Sequence, residues 1–174
     1  LKWLGFFHRP VTPGKFMMRM RIPNGILTST QMRVLADIVQ CYCQGAGFQD
    51  QGNADITTRQ NLQLRGIRIE DIADIINILA QAGLTCVQSG MDNVRNITGS
   101  PVAGIDANEL IDTRGLCRIL QDAITNNGEG NLELSDLPRK FNIAVAGGRD
   151  NSVHAEINDL GLLPAYKDGT LGFN

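Results

Sequence analysis

Apolar residues in the first half of the chain recur with the two periods that distinguish strands from helices. Alternate positions are apolar where we expect a strand, and positions three or four apart are apolar where we expect a helix. The predicted elements are strands over 15–22, within 55–66 and over 84–88, helices over 28–43 and 70–81, and a loop over 44–53. Thr28 and Gln31 have the form of a capping box, and Gly83 is a natural helix stop. The order strand, helix, strand, helix, strand is that of a ferredoxin-like half-domain.

A connector over 89–101 opens the second half of the chain and contains Arg95 between asparagines. Connectors of this length are typically functional. The elements predicted after it are a helix over 108–126 and strands within 137–147 and over 153–163. We therefore expect an α+β fold in two parts: a ferredoxin-like half-domain with its N-terminal lead-in over residues 1–88, and the first part of a second domain over 89–174.

Several cationic and amide side chains are expected to share faces of these strands. Arg19 and Arg21 alternate with apolar residues, so they project on one face, where solvent or an anion must screen their repulsion. The polar face of the second strand contains no carboxylate and consists of Arg59, Asn61, Gln63 and Arg65. In the final apolar run, Lys140 and Asn142 project together, and Arg139 projects on the other face. Such faces suit an anionic ligand and are equally typical of a solvated surface.

The composition is that of a globular chain without a strong charge imbalance. Of the 174 residues, 43% are hydrophobic and 20% are charged, and the net charge is -2 at pH 7. This balance gives no reason to expect a nucleic-acid partner, and no apolar run approaches the ~20 residues of a membrane span. Arginine supplies 12 of the 16 basic residues. Because a guanidinium binds carboxylate or phosphate through two hydrogen bonds, this bias favours a polyanionic ligand, although compositional drift explains it as well.

The cysteines and histidines form no recognisable catalytic or metal motif. The four cysteines are Cys41, Cys43, Cys86 and Cys117. Their spacing does not close a tetrahedral site, and without a signal peptide we expect a reducing compartment and buried free thiols. His8 and His154 have no second ligand at metal spacing and are expected to be surface or structural residues. The sequence also has no phosphate-binding glycine loop, nucleophile elbow or HExxH helix, so nucleophilic and zinc hydrolases are not supported.

Four segments, in order, resemble the nitrite and sulfite reductase family, whose members contain sirohaem and an iron-sulfur cluster. The segments are MRMRIPNG at 18–25, DITTRQN at 55–61, DNVRN at 92–96 and LPRKFN at 137–142. They extend over nearly the whole chain and are most similar to the ferredoxin-dependent assimilatory nitrite reductases of cyanobacteria and plastids. The resemblance implies six-electron reduction of nitrite to ammonia at a sirohaem bridged to a 4Fe-4S cluster, with ferredoxin as the electron donor. It also implies a sirohaem-binding second domain, a monomer when full length, and a location in the cyanobacterial cytoplasm or the plastid stroma.

The resemblance assigns two kinds of role. The residues that would hold and protonate the anion are Arg19, Arg95, Lys140 and Asn142. The residues that would contact the cofactor are Arg59, Asn61, Gln63, Asn93 and Arg139. Sirohaem carries several carboxylates, which would explain the arginine excess and the polar face without a carboxylate. Cationic donors over the iron would stabilise the negative charge that develops on bound nitrite.

The residue at position 142 bears on the choice of substrate. Sulfite reductases of the family usually have a second lysine at this place, whereas this chain has Asn142. An amide suits nitrite, which is a monoanion, and another cation suits the more negative sulfite. The resemblance therefore favours nitrite, with sulfite as the alternative substrate within the family.

Some features depart from the family pattern. The family's cluster ligands are four cysteines in its C-terminal half, and the cysteines of this chain do not match them, so no metal ligand is predicted here. The family repeats this half, whereas one copy is present, and both chain ends look like cut edges. We therefore expect an N-terminal part that is inactive by itself. The segment 40–51 is also unusual for the group.

Two hypotheses of other classes stay open at this point. One is a stand-alone module that binds a porphyrinoid or another polyanion without redox chemistry. The other is an α+β domain whose arginine and asparagine faces are simply solvated. The nitrite assignment requires Arg19, Arg95, Lys140 and Asn142 to converge on one pocket.

Overall fold

The computed structural model describes residues 1–45 and 51–174. Its first part contains an antiparallel sheet and two helices. The strands are β1 (Phe6–His8), β2 (Phe16–Arg19), β3 (Ala54–Ile56) and β4 (Leu62–Ile67), and the helices are α1 (Ser29–Tyr42) and α2 (Ile72–Gln81). The strand order in this sheet is β1-β2-β4-β3. Both helices and the strands β2 and β4 lie where the sequence predicts them, and the predicted α+β class is confirmed.

The apolar faces of these elements form one core. Met18 and Leu64 are direct neighbours across the β2–β4 ladder, and neither side chain is exposed. Ile38 of α1 and Ile75 of α2 belong to the same buried cluster. Burial therefore follows the periods seen in the sequence, because only one face of each strand and one stripe of each helix can be covered.

The start of α1 is stabilised by the predicted capping box. The backbone N–H of Gln31 donates to Thr28 Oγ1 at 3.1 Å, and the backbone N–H of Thr28 donates to Gln31 Oε1 at 3.0 Å. The amide of Gln31 also donates to the carbonyl of Ala82 at 3.1 Å. The same side chain therefore caps α1 and connects it to the residue that follows α2.

The second part of the chain contains a small parallel sheet, one long helix and a hairpin. The strands of the sheet are β5 (Thr98–Gly99), β6 (Ile143–Val145) and β7 (Leu160–Leu162), the helix is α3 (Arg114–Thr125), and the hairpin is β8 (Pro164–Lys167) with β9 (Thr170–Phe173). Ile97, Cys117, Ile143 and Val145 form a second buried cluster. The apolar pattern predicted neither this hairpin nor β1.

The strand predicted over 84–88 is wrong. This segment contributes only an isolated bridge between Thr85 and Arg21. The Oγ1 atom of Thr85 accepts a hydrogen bond from the backbone N–H of Val87 at 3.1 Å. A side chain that binds its own backbone in this way competes with the ladder of a strand.

The third helix is shorter than the predicted range 108–126, since α3 begins at Arg114. The Oδ1 atom of Asp112 accepts a hydrogen bond from the backbone N–H of Arg114 at 3.1 Å. Asp106 makes the same contact with the backbone N–H of Asn108 at 2.9 Å. These local carboxylate contacts hold the segment before α3 in turns.

The strand predicted within 137–147 is confirmed only over its last part, because β6 begins at Ile143. Lys140 lies in a turn with φ 64, which is the left-handed region. The regular alternation of faces stops at such a residue. The prediction that Lys140 and Asn142 project from one strand face is therefore wrong.

The strand predicted over 153–163 is also shorter, because β7 begins at Leu160. A short 3-10 helix over Ala155–Ile157 precedes it. The Oδ1 atom of Asn151 accepts a hydrogen bond from the backbone N–H of Ala155 at 2.9 Å and stabilises this turn.

The loop predicted over 44–53 and the unusual segment 40–51 fall partly outside the described residues. Residues 44–45 and 51–53 belong to no helix or strand. None of the helices described for residues 1–45 and 51–174 has the length and apolarity required to cross a bilayer.

Candidate anion-binding site

The polar face of the first sheet contains Arg19 on β2 and Gln63 on β4, which are direct neighbours across the ladder. Asp55 of β3 lies opposite Gln63 on the other side, and its Oδ2 accepts a hydrogen bond from Arg65 Nε at 2.6 Å. The polar face of β4 itself has no carboxylate, as expected, but strand register places Asp55 of β3 beside it. Asp55 neutralises Arg65 and leaves Arg19 unpaired.

Two guanidinium groups meet at one carbonyl oxygen. Arg19 Nη1 donates to the carbonyl of Ser89 at 3.3 Å, and Arg95 Nη1 donates to the same oxygen at 3.1 Å. The Cζ atom of Arg19 lies 4.7 Å from the centroid of the Phe7 ring, which holds this cation by a cation–π contact. Two residues that are 76 positions apart in sequence thus present adjacent positive charges.

Arg59 and Asn142 form the neighbouring part of the site. Arg59 lies in the turn before β4 rather than in the predicted strand, and its Nε donates to Asn142 Oδ1 at 2.8 Å. The two side chains border a cavity of about 520 Å³. Arg139 and Lys140 are exposed in the turn that leads to Asn142.

Mutual repulsion and burial shape the electrostatics of this arginine cluster. Burial, followed by repulsion from Arg95, Arg59 and Arg65, lowers the pKa of Arg19 to about 10. Burial, followed by the charges of Arg59 and Arg139, lowers the pKa of Arg95, against a smaller opposing effect of Asp92. Among the described residues, the ion pairs of arginines involve Arg65, Arg68 and Arg114. The cluster therefore has an excess of positive charge at neutral pH that Asp92 offsets only in part, which suits a polyanionic ligand.

Arg21 is buried beneath the 88–95 segment and supports the site, a role that the sequence pattern did not predict. Its side chain is 1% exposed, and Nη1 donates to the carbonyls of Gln88 at 2.8 Å and Val94 at 2.9 Å. Its Nη2 donates to the carbonyl of Arg95 at 3.3 Å. The expectation that Arg21 faces solvent or a ligand beside Arg19 is wrong. Arg21 fixes the segment that contains Ser89 and Arg95.

Asn96 joins three distant segments of the site. It exchanges two hydrogen bonds with the backbone of Ile22, each at 2.7 Å. Its Nδ2 also donates to the carbonyl of Arg59 at 2.7 Å. The amide therefore holds the end of β2, the turn with Arg59 and the segment with Arg95 in one arrangement.

Asn61 and Asn93, which were predicted to contact the cofactor, are buried. Asn61 is 3% exposed and accepts a hydrogen bond from Thr57 Oγ1 at 2.7 Å. Asn93 is fully buried, and its amide donates to the carbonyl of Gly90. Both amides stabilise their own loops, so the geometry favours a supporting role over direct contact with a ligand.

Gly5 allows β1 to approach the site closely. Gly5 has φ +87, and a Cβ atom added to it would lie 2.5 Å from the carbonyl oxygen of Cys86 and 2.6 Å from Ser89 Oγ. Gly14 has a similar φ of +75, but a Cβ atom there would meet nothing within 4 Å. Substitution of Gly14 therefore measures only the free-energy cost of a side chain at positive φ, whereas substitution of Gly5 adds the cost of the clash with Cys86 and Ser89.

We expect Gly5→Ala to lower the free energy of unfolding by about 3 kcal/mol, and Gly14→Ala by about 1 kcal/mol. Urea unfolding of the full-length protein measures the difference. Equal losses for the two variants would show that the contact between β1 and the Cys86–Ser89 segment has no energetic role.

The histidines and cysteines lie outside the cluster. His154 is exposed with its Nδ1 at 3.8 Å from a carboxylate oxygen of Glu156, and His8 packs edge-on against Phe16. Burial raises the pKa of the Cys43 and Cys86 thiols to about 12 and that of the Cys117 thiol to about 11. These thiols are therefore protonated, and no group of three or more metal-ligating side chains occurs in the part of the chain that the structure describes.

Two family models match the chain. The model for the nitrite/sulfite reductase ferredoxin-like half domain matches residues 8–82, and the model for the nitrite and sulphite reductase 4Fe-4S domain matches residues 90–174. These matches confirm the predicted ferredoxin-like half-domain and the resemblance to this family.

Two curated relatives and one solved structure support the same family assignment. The chain is 72% identical over its whole length to a ferredoxin–nitrite reductase of Leptolyngbya laminosa and covers 33% of that protein. It is 50% identical to the chloroplastic ferredoxin–nitrite reductase of Arabidopsis thaliana and covers 29% of it. The structure of the Mycobacterium tuberculosis NirA protein superposes on 99% of the chain, with a TM-score of 0.80 at 27% identity, and the chain covers 32% of it. The chain thus spans about a third of the length of these relatives, and it belongs to the nitrite and sulfite reductase family.

Proposed function

We propose that this chain provides the anion-binding side of a ferredoxin-dependent assimilatory nitrite reductase, which reduces nitrite to ammonia by six electrons. The observation on which the proposal rests is the pair Arg19 and Arg95, whose guanidinium groups meet at the Ser89 carbonyl and make no ion pair with any described residue. The names of the relatives support nitrite as the substrate and ferredoxin as the donor. An arginine pair of this kind attracts a small anion and stabilises charge that develops on it.

The donor set also fits sirohaem, a macrocycle with several carboxylates. Arg59, Gln63 and Arg139 surround the arginine pair and would hold those carboxylates through charge-assisted hydrogen bonds. When bound, sirohaem and the 4Fe-4S cluster would transfer to the anion the electrons that ferredoxin donates. No group of three or more metal-ligating side chains occurs among the described residues, so we assign the cluster ligands to another part of the reductase.

The site residues of this part of the reductase would have different roles, which depend on their charge and acidity. Arg19 and Arg95 would orient nitrite and offset its negative charge, because a guanidinium keeps its proton at neutral pH. Lys140 would deliver protons, because an ammonium group gives up a proton more readily than a guanidinium. Asn142 would donate a neutral hydrogen bond that matches a monoanion.

Exchange of the residue at position 142 tests this assignment of substrate. In the full-length reductase, we expect Asn142→Lys to lower kcat/KM for nitrite about tenfold and to raise kcat/KM for sulfite, because the added cation suits the more negative anion. Steady-state turnover of both substrates with reduced ferredoxin measures the change. Asn108→Lys is the matched control, because Asn108 is exposed and does not line the cavity that Arg59 and Asn142 border. Higher turnover of sulfite than of nitrite by the unmodified protein would identify a sulfite reductase instead.

Other properties follow from the same proposal. We infer a monomer in the cytoplasm of a cyanobacterium or in the plastid stroma, with neither nucleic acid nor membrane as a partner. We also infer a boundary near residue 89 between the half-domain over 1–88 and the sirohaem-binding part over 89–174. The two family models, which end at residue 82 and begin at residue 90, support this boundary.

A further inference from the structure

Asn142 is anchored by two adjacent residues from the start of β7. Its backbone N–H donates to Asp159 Oδ2 at 2.8 Å, and its carbonyl accepts a hydrogen bond from the backbone N–H of Leu160 at 3.1 Å. The next pair along the chains, Ile143 and Leu160, is the first pair of the parallel β6–β7 ladder. The carboxylate of Asp159 therefore extends this ladder by one residue.

The contact with Asp159 lies directly after a sharp turn of the backbone. Lys140 has φ 64, so the chain turns sharply two residues before Asn142. A residue between such a turn and the start of a strand has few backbone contacts to fix its direction. The hydrogen bond that the backbone N–H of Asn142 donates to Asp159 supplies one, and it sets the direction in which the Asn142 side chain projects.

The amide of Asn142 also has only one orientation that satisfies its neighbours. Its Oδ1 accepts a hydrogen bond from Arg59 Nε at 2.8 Å, and its Nδ2 lies 3.4 Å from Asp159 Oδ2. A guanidinium only donates hydrogen bonds, and an ionised carboxylate only accepts them. A flipped amide would place its N–H groups against the N–H donor of Arg59 and its oxygen against the carboxylate of Asp159. Arg59 and Asp159 together therefore fix the orientation of the Asn142 amide.

We propose that Asp159 is a positioning residue that determines specificity by holding Asn142 for the anion. This inference rests on the proposed function, in which Asn142 contacts the substrate. With Oδ1 turned to Arg59 and one N–H directed to Asp159, the amide presents its second N–H rather than an acceptor to an anion. The same carboxylate would pair with a lysine at position 142 and offset part of its charge, so Asp159 suits an amide better than a cation at this place.

Three variants of Asp159 separate its contacts in the full-length reductase. Asp159→Ala removes both contacts, whereas Asp159→Asn keeps an oxygen that accepts from the backbone N–H of Asn142 but loses the charge. We expect kcat/KM for nitrite to fall about tenfold in Asp159→Ala and less in Asp159→Asn, mainly through KM, with unchanged sirohaem absorbance. Asp159→Ser, which retains a short acceptor, replaces Asp159→Ala if that protein does not accumulate. Asp150→Ala removes an exposed carboxylate nearby and is the control.

A double variant tests the specificity directly. If Asp159 offsets part of the charge of a lysine at position 142, Asn142→Lys with Asp159→Asn has a higher ratio of sulfite to nitrite turnover than Asn142→Lys alone. Equal ratios, together with an unchanged KM for nitrite in Asp159→Ala, would overturn the proposal.

A structural measurement distinguishes this inference from the proposed function. A crystal structure of the Asp159→Ala protein is expected to have the Asn142 amide displaced from Arg59, whatever the substrate. If the reductase does not reduce nitrite but the amide moves, the proposed function fails and the positioning role of Asp159 stands. An amide that keeps its contact with Arg59 would contradict the positioning role.

Discussion

Arg95→Gln in the full-length reductase is expected to lower kcat/KM for nitrite by roughly 10²–10³-fold, because it removes one of the two charges that would stabilise the reduced anion. Glutamine retains an N–H donor for the Ser89 carbonyl, which Arg95 contacts at 3.1 Å. The backbone N–H of Arg95 donates to the carbonyl of Phe141 at 2.8 Å in either protein. We therefore expect the local structure to be retained, so that the decrease in kcat/KM reports the loss of the positive charge.

The measurement is steady-state nitrite turnover, with cofactor content determined from absorbance. Arg149→Gln is the matched control, because Arg149 is an exposed arginine of the same chain outside the cluster. Arg95→Lys keeps the charge and is expected to retain more activity than Arg95→Gln. If Arg95→Gln stays within about threefold of the unmodified protein at full cofactor content, the arginine pair is not the site of the anion.

The parts of the fold that were predictable are those in which burial follows a local period. Met18 and Leu64 are fully buried on the faces that alternation assigns to them, and Ile75 lies on the apolar stripe of α2. Lys140 shows where this reasoning stops, since nothing in the run of small apolar residues after it indicates a left-handed turn. β1 and the β8–β9 hairpin are short strands whose apolar patterns are too brief to distinguish from a loop.

The resemblance to the family named Arg19, Arg95, Lys140 and Asn142 as site residues, and that assignment stays a prediction. In the structure Arg19 and Arg95 meet at the Ser89 carbonyl, whereas Asn142 contacts Arg59 at a cavity that the other three do not line. Partners that depend on pairing between distant segments were missed. Asp55 enters through strand register, and Asp159 through the parallel ladder of a strand that begins after it.

Arg21 was misassigned for a related reason, and it gives the prediction with the largest effect on stability. Alternation placed it beside Arg19, but β2 ends at Arg19, and the chain beyond that point turns the Arg21 side chain into the core. Its environment there consists of backbone carbonyls, which a sequence does not display. Burial, with repulsion from Arg95, lowers the pKa of Arg21 to about 10, so the side chain remains charged at neutral pH and binds those carbonyls as a cation.

We expect Arg21→Met to lower the stability of the 88–95 segment by about 4 kcal/mol, because it leaves the carbonyls of Gln88 and Val94 buried without a donor, at roughly 1–3 kcal/mol each, and adds the weaker loss at Arg95. Hydrogen exchange followed by mass spectrometry measures this directly in the full-length protein. Protection of the amides of Gln88 and Arg95, which donate to the carbonyls of Trp3 and Phe141, should fall roughly 10²–10³-fold.

The exposed Arg33 of α1 provides the matched control, and Arg33→Met should leave exchange in this segment unchanged. Arg21→Lys should give an intermediate loss, because an ammonium group keeps the charge but cannot reach two divergent carbonyls with the fixed fork of a guanidinium. Unchanged protection in Arg21→Met would mean that Asn96, whose amide joins Ile22 to Arg59, holds the segment without help. The two anchors differ in this respect: Asn96 connects only the C-terminal end of the segment, to Ile22 and Arg59, whereas Arg21 contacts both of its ends and so determines where Ser89 and Arg95 lie relative to Arg19.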